Sequence, residues 1–271
     1  MKHVRTIIKK EWAEVFKRRL VVMVMLIVPL LFTVLPLIML GVMNNAAIDT
    51  GGTLTPEMIA QSGGMPGNVA STCAGLSGGD CMQVMMVIQF LLMFMMMPLL
   101  IPITIAAYSI VGEKTTRSLE PLLATPISTL ELLLGKCLAA VIPAVGVTWL
   151  SFALFNLGLV IMKISPGVRS YILGPTWLLG ILLLGPILAV IAVNFAIYIS
   201  SRVTDPRAAE QISGVLIVPF LGVVFAQLAG VLTVNISFML LAIGVCALIA
   251  VGMVYLGTLV FDRENILTKW K

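Results

Sequence analysis

The 271-residue chain is 60% hydrophobic and only 11% charged, with a mean hydropathy of +1.11. That composition excludes an ordinary soluble domain. The net charge of +5 is concentrated beside apolar stretches, where it suits anionic lipid headgroups rather than nucleic acid.

Residues 2–18 come first. Val4, Ile7, Ile8, Trp12, Val15 and Phe16 recur at spacings of three and four, while Lys9, Lys10, Glu14 and Lys17 fall mainly elsewhere. This pattern predicts a helix lying in the membrane interface. Five uncharged stretches follow, at 20–48, 81–112, 137–162, 170–201 and 211–261. A bilayer core of about 30 Å is crossed by about 20 apolar residues. The first four stretches hold one span each. The last is too long for one crossing and carries a polar break at Thr233-Val234-Asn235, so it holds two. The first apolar run is too long for a signal peptide and lacks a small-residue cleavage site.

Placing the N-terminus in the cytoplasm puts fifteen of the seventeen Lys and Arg residues on that side, leaving Lys163 and Arg169 outside. That split is a strong positive-inside signal. The expected fold is an all-α integral membrane protein. It has six transmembrane helices, an N-terminal interfacial amphipathic helix and both termini cytoplasmic. The interfacial helix takes residues 1–19 and the six-span domain residues 20–271. Within the latter, an outer loop covers 44–83, an inner loop 112–135, a second inner loop 201–211 and a tail 262–271.

The outer loop is Gly-rich, and Thr55-Pro56-Glu57 reads as a helix start. Cys73 and Cys81 lie on the oxidising side, so a disulfide is expected there, with two reduced thiols as the alternative. Cys137 and Cys246 fall in spans and read as small packing residues. Prolines sit at 29, 36, 98, 102, 143, 186 and 219 within spans, where neighbours must satisfy the carbonyls they free. The run Met93-Phe94-Met95-Met96-Met97 points around a helix rather than at one ligand, which favours packing over Cu(I) binding. Ala242, Cys246 and Ala250 make a small-residue face on the sixth span.

No span has a centrally placed ionisable residue, and the sole histidine is His3. Ion-coupled carriers generally need such groups, although a Na⁺ site of carbonyls and hydroxyls would not. Intramembrane hydrolysis would need a base or metal for which no residue stands out. Gly135-Lys136 lacks the upstream Gly of a P-loop and is followed by Cys137, so the chain has no Walker A motif of its own.

The most informative segment is the first inner loop. Ser118 caps a short helix with Pro121 in its first turn, and Leu119, Leu122 and Leu123 share a face. Thr125-Pro126 stops it. Ser128 and Glu131 form a capping box that starts the next helix. In the second inner loop, Asp205 as cap and Pro206 in the first turn start a helix that enters the fifth span.

The run from Glu113 through Leu119-Glu120, Leu122-Leu123, Thr125-Pro126-Ile127-Ser128, Glu131 and Gly135-Lys136 resembles the signature loop of type-2 ABC exporter permeases. Asp205, Arg207, Ala209, Gln211 and Pro219 also match that family, and so do the six spans and the N-terminal helix. Arg117-Ser118 stand where many members have Gly-Thr. The resemblance implies a permease subunit that exports a substrate, works as a homo- or heterodimer in the cell membrane, and pairs with two copies of a cytoplasmic P-loop ATPase. ATP and Mg would be held by that partner, with no cofactor in this chain, no catalytic residues and no nucleic acid. Glu113, Leu119, Glu120, Leu122, Leu123, Pro126, Ser128 and Glu131 become the expected ATPase-coupling residues, with Asp205 and Arg207 in the second loop. The alternatives are a secondary transporter or channel without an ATPase, and a membrane scaffold for an outer-face assembly.

Overall fold

A computed structural model of the chain describes residues 2–49, 76–115 and 129–260. Among these residues all regular structure is helical, and six helical runs are long and apolar enough to cross a membrane. Helix α1 (Lys2–Val15) precedes α2 (Arg19–Asp49), the first span. The second span is α3 (Gly78–Phe94) and α4 (Met97–Thr115), and the third is α5 (Thr129–Ile161). The fourth comprises α6 (Pro166–Ile172), α7 (Pro175–Leu179), a π-helical turn at Gly180–Leu184 and α8 (Gly185–Arg202). The fifth is α9 (Pro206–Ser213), a 3₁₀ turn at Gly214–Leu216 and α10 (Ile217–Leu228). Helix α11 (Ile236–Val260) is the sixth.

Each interruption has a local chemical cause. Pro98 has no N–H for the carbonyl of Phe94, so the second span breaks at Met95-Met96. There the Met95 and Met96 amides tighten onto Leu92 and Met93, three residues back, at 2.9 Å each. The methionine run therefore covers a break, and Met95 and Met97 are buried in the core beside Phe94. Gly174 ends α6 in direct contact with the Tyr171 carbonyl, 2.8 Å from where a Cβ would sit. Asp205 caps α9 by accepting the Arg207 amide at 3.1 Å, with Pro206 in the first turn.

Two prolines leave carbonyls that tryptophans from other elements satisfy. In an α-helix, residue 143 would donate to Ala139, four back, but Pro143 cannot. Trp12 Nε1 of α1 donates to that carbonyl at 2.9 Å. In the π turn, Gly185 donates five back to Gly180. The next donor in that pattern would be Pro186, and its partner would be Ile181. Trp149 Nε1 of α5 donates to Ile181 at 3.0 Å instead.

The core lies between α4 and α8, which pack most extensively on each other, with α5 and α11 also against α8. The second span is the most buried of the six and the sixth the least. Ala250 and the partly buried Ala242 and Cys246 lie on the inward face of α11. Cys137 and Cys246 are free thiols. Cys81 is buried in the first turn of α3 and is disulfide-bonded. Cys73 lies outside the described residues.

Candidate functional site

One end of the bundle gathers α1, the C-terminal half of α4, the start of α5, and α9. The sequence periodicity of α1 explains how it docks. Ile7, Glu11 and Val15 fall on one stripe and are all buried, against α5 and α4. The amphipathic face expected to rest in the interface therefore packs partly on protein. Gly135 makes the approach possible, because a Cβ there would lie 2.8 Å from Ile7 Cγ2.

Glu11 sits inside that apolar contact as a paired charge. Lys136 Nζ of α5 donates to Glu11 Oε1 at 2.8 Å. Ser109 Oγ of α4 donates to Glu11 Oε2 at 2.6 Å. Lys136 also donates to Ser109 Oγ at 3.1 Å. Glu11 and Lys136 are both buried. A buried charge without a partner is costly, so the three side chains form a clasp that holds three elements together. The Trp12–Ala139 bond lies one residue on from Glu11 and reinforces it. Arg18, at the turn into α2, places its guanidinium over the Tyr108 ring of α4, 5.8 Å from the centroid.

A second contact joins α9 to the same helix. Thr104 Oγ1 of α4 donates to Glu210 Oε1 at 2.6 Å. Ala209 packs against Ala107 and Val111 of α4, where small side chains allow close approach.

The residues expected for coupling stand as follows. Helix α4 runs past Glu113 to Thr115 and α5 begins at Thr129. Leu119, Glu120, Leu122, Leu123, Pro126 and Ser128 lie outside the described residues, as does the Glu113 side chain. Glu131 is in the first turn of α5. Asp205 is spent on its cap, and Arg207 is exposed beside it.

From sequence, Lys136 stood out only as part of the Gly135-Lys136 pair, and Glu11 was given no role. The signal was present: Glu11 falls four residues after Ile7 and four before Val15, so it interrupts the apolar stripe with a charge. Likewise the Gly135-Lys136 pair has a packing explanation, with the glycine admitting Ile7 and the lysine meeting Glu11.

A family model for ABC-2 family transporter proteins matches residues 5–242. No curated protein matches the chain significantly. The matched region takes in the docked N-terminal helix, the clasp, the Thr104–Glu210 contact and five complete spans, and the chain belongs to the ABC-2 transporter family.

Proposed function

We propose that this chain is the membrane-spanning permease subunit of an ATP-driven exporter whose ATP is hydrolysed by a separate cytoplasmic P-loop ATPase. Leu119, Leu122 and Leu123 form the apolar face of a short docking helix, and Glu120 supplies its charge. Pro126 ends that helix, and Ser128 with Glu131 caps the one after it. Two ATPase copies, with their ATP and Mg, serve a dimer of permease protomers. The N- and C-termini face the cytoplasm in this reading, which the Lys and Arg distribution supports.

The clasp is the observation that carries this reading. The segment 116–128 leaves α4 about two turns after Ser109 and rejoins α5 about two turns before Lys136. Both residues are bonded to Glu11. A push on that segment therefore reaches α1 and two spans as one unit rather than dissipating in a loop. Coupling through a packed, hydrogen-bonded body of this kind is what a nucleotide-driven stroke needs.

The test is purification of the tagged chain from its native membranes in a mild detergent. The expected result is a P-loop ATPase in near-equal amount and ATP hydrolysis by the complex. A chain that purifies alone and still supports transport in liposomes without ATP would overturn the reading.

A further inference from the structure

We propose that the cavity behind the fifth span is a binding site for a single hydrocarbon chain. It has a volume of ≈ 240 Å³ and lies between the second, fourth, fifth and sixth spans. Its walls meet at two helix interruptions. Leu92, Met95 and Leu99 line it from around the break in the second span, and Leu184 from the π turn of the fourth with Leu188 from the helix that follows. Apart from the Cys246 thiol and the weakly accepting thioethers of Met95 and Met239, no lining side chain carries a hydrogen-bonding or charged group.

The outer wall is hinged. Helix α9 is fixed to α4 by the Thr104–Glu210 bond, and Ser213 Oγ donates within it to the Ala209 carbonyl at 2.6 Å. The 3₁₀ turn at Gly214–Leu216 then separates it from α10. A 3₁₀ stretch inside a span is a common hinge signature. Beyond it, only Val224 and Gln227 of α10 are buried, while Pro219, Phe220 and Val223 face the cavity. The wall is thus held at one end and loosely packed along the rest.

The lining decides the occupant. A polar headgroup or sugar would leave its donors and acceptors unmet there, at several kcal/mol each. An empty cavity forfeits dispersion contacts on every wall, and apolar cavities of this kind take up apolar guests while excluding water. A methylene chain satisfies all of these conditions. It could come from a membrane phospholipid or from a single-tailed amphipathic solute. The inference does not depend on the exporter reading.

The test uses the intact protein in nanodiscs with two probes. One is a phosphatidylcholine bearing a terminal diazirine on one acyl chain, and the other is a diazirine fatty acid added to discs of unlabelled lipid. After photolysis, adducts are mapped by mass spectrometry. Expected are adducts concentrated on Met95, Phe220 and Met239, in clear excess over Leu30 and Leu35 on the exposed face of the first span. Ala242→Phe, which fills the cavity, should lower the cavity adducts about tenfold, the loss that follows when two methylenes of contact are displaced. Val223→Phe fills it from the hinged wall and should act in the same direction. Adducts on the first span should not change. Labelling by the phospholipid probe assigns the site to membrane lipid, and labelling by the fatty acid alone assigns it to single-tailed amphipaths. Adducts spread evenly over all spans, or cavity adducts unchanged in both filled variants when each elutes like the wild type, would overturn the proposal.

Discussion

Replacing Lys136 by Met tests the clasp at its most sensitive point. The side chains are of similar length, so the main loss is the charge on Glu11's partner. Glu11 would keep only the Ser109 hydroxyl, in a contact from which water is excluded. Breaking a buried pair from one side costs about 3–5 kcal/mol. What holds α1 down is of similar size: burial of Ile7 and Val15 contributes about 1.5–3 kcal/mol each, and the Trp12 bond about 1 kcal/mol. Helix α1 should therefore spend much of its time undocked, carrying Glu11 to water. Amide hydrogen exchange over residues 4–16 reads this directly, and protection should fall by about 10²–10⁴-fold. The double variant Glu11→Met/Lys136→Met removes both charges at nearly constant volume. Replacing a buried pair by apolar residues is often neutral. Ser109 loses its acceptor but can turn to a carbonyl of its own helix. Protection in the double variant should return to within about tenfold of wild type. A single variant that exchanges like wild type, or a double variant as unprotected as the single, would refute the reasoning.

Three further outcomes are expected. Trp12→Phe orphans the Ala139 carbonyl and should cost about 1–3 kcal/mol in unfolding experiments. In a Pro143→Ala background the helix supplies its own donor, so the same change should cost less than about 1 kcal/mol. In a cysteine-free version, single cysteines at Ser62 and Ser170 should react with an impermeant thiol reagent in intact cells, while those at Thr115 and Lys269 should not; labelling at Thr115 from outside would reverse the orientation. Non-reducing mass spectrometry should find a peptide linking Cys73 to Cys81, a short loop closure that contributes about 2–3 kcal/mol; free thiols at both positions in oxidised protein would exclude it.

The spans were legible because each needs only a length of uncharged chain, a property of consecutive residues. The start of α9 was legible for the same reason, since Asp205 and its amide partner on Arg207 are two residues apart. The prolines were visible too, and so was the need for something to satisfy the carbonyls they free. What periodicity could not supply was the identity of that partner. Trp12 and Ala139 are far apart in sequence, and so are Trp149 and Ile181. Glu11 and Lys136 were hidden in the same way. A charge in an apolar stripe announces that it has a buried partner, but only packing selects Lys136 and Ser109 among the available donors. The π turn at Gly180–Leu184 was similarly beyond a local reading. Gly185-Pro186 marks where the helix must adjust, and the Trp149 indole then fits the carbonyl that the adjustment exposes.

The ATPase is proposed to take hold on the segment after α4. Glu120 and Glu131 separate docking from local helix capping. If the segment docks as proposed, Glu120→Lys would set a wrong charge in that contact and should cost about 2–5 kcal/mol of binding. Glu131→Gln keeps a side chain able to reach back to the cap and should be mild. With membrane levels of the two variants matched, co-purification of the ATPase and its hydrolysis are measured side by side. Loss of both is expected for Glu120→Lys and retention of both for Glu131→Gln. Equal behaviour of the two variants would contradict docking on that segment.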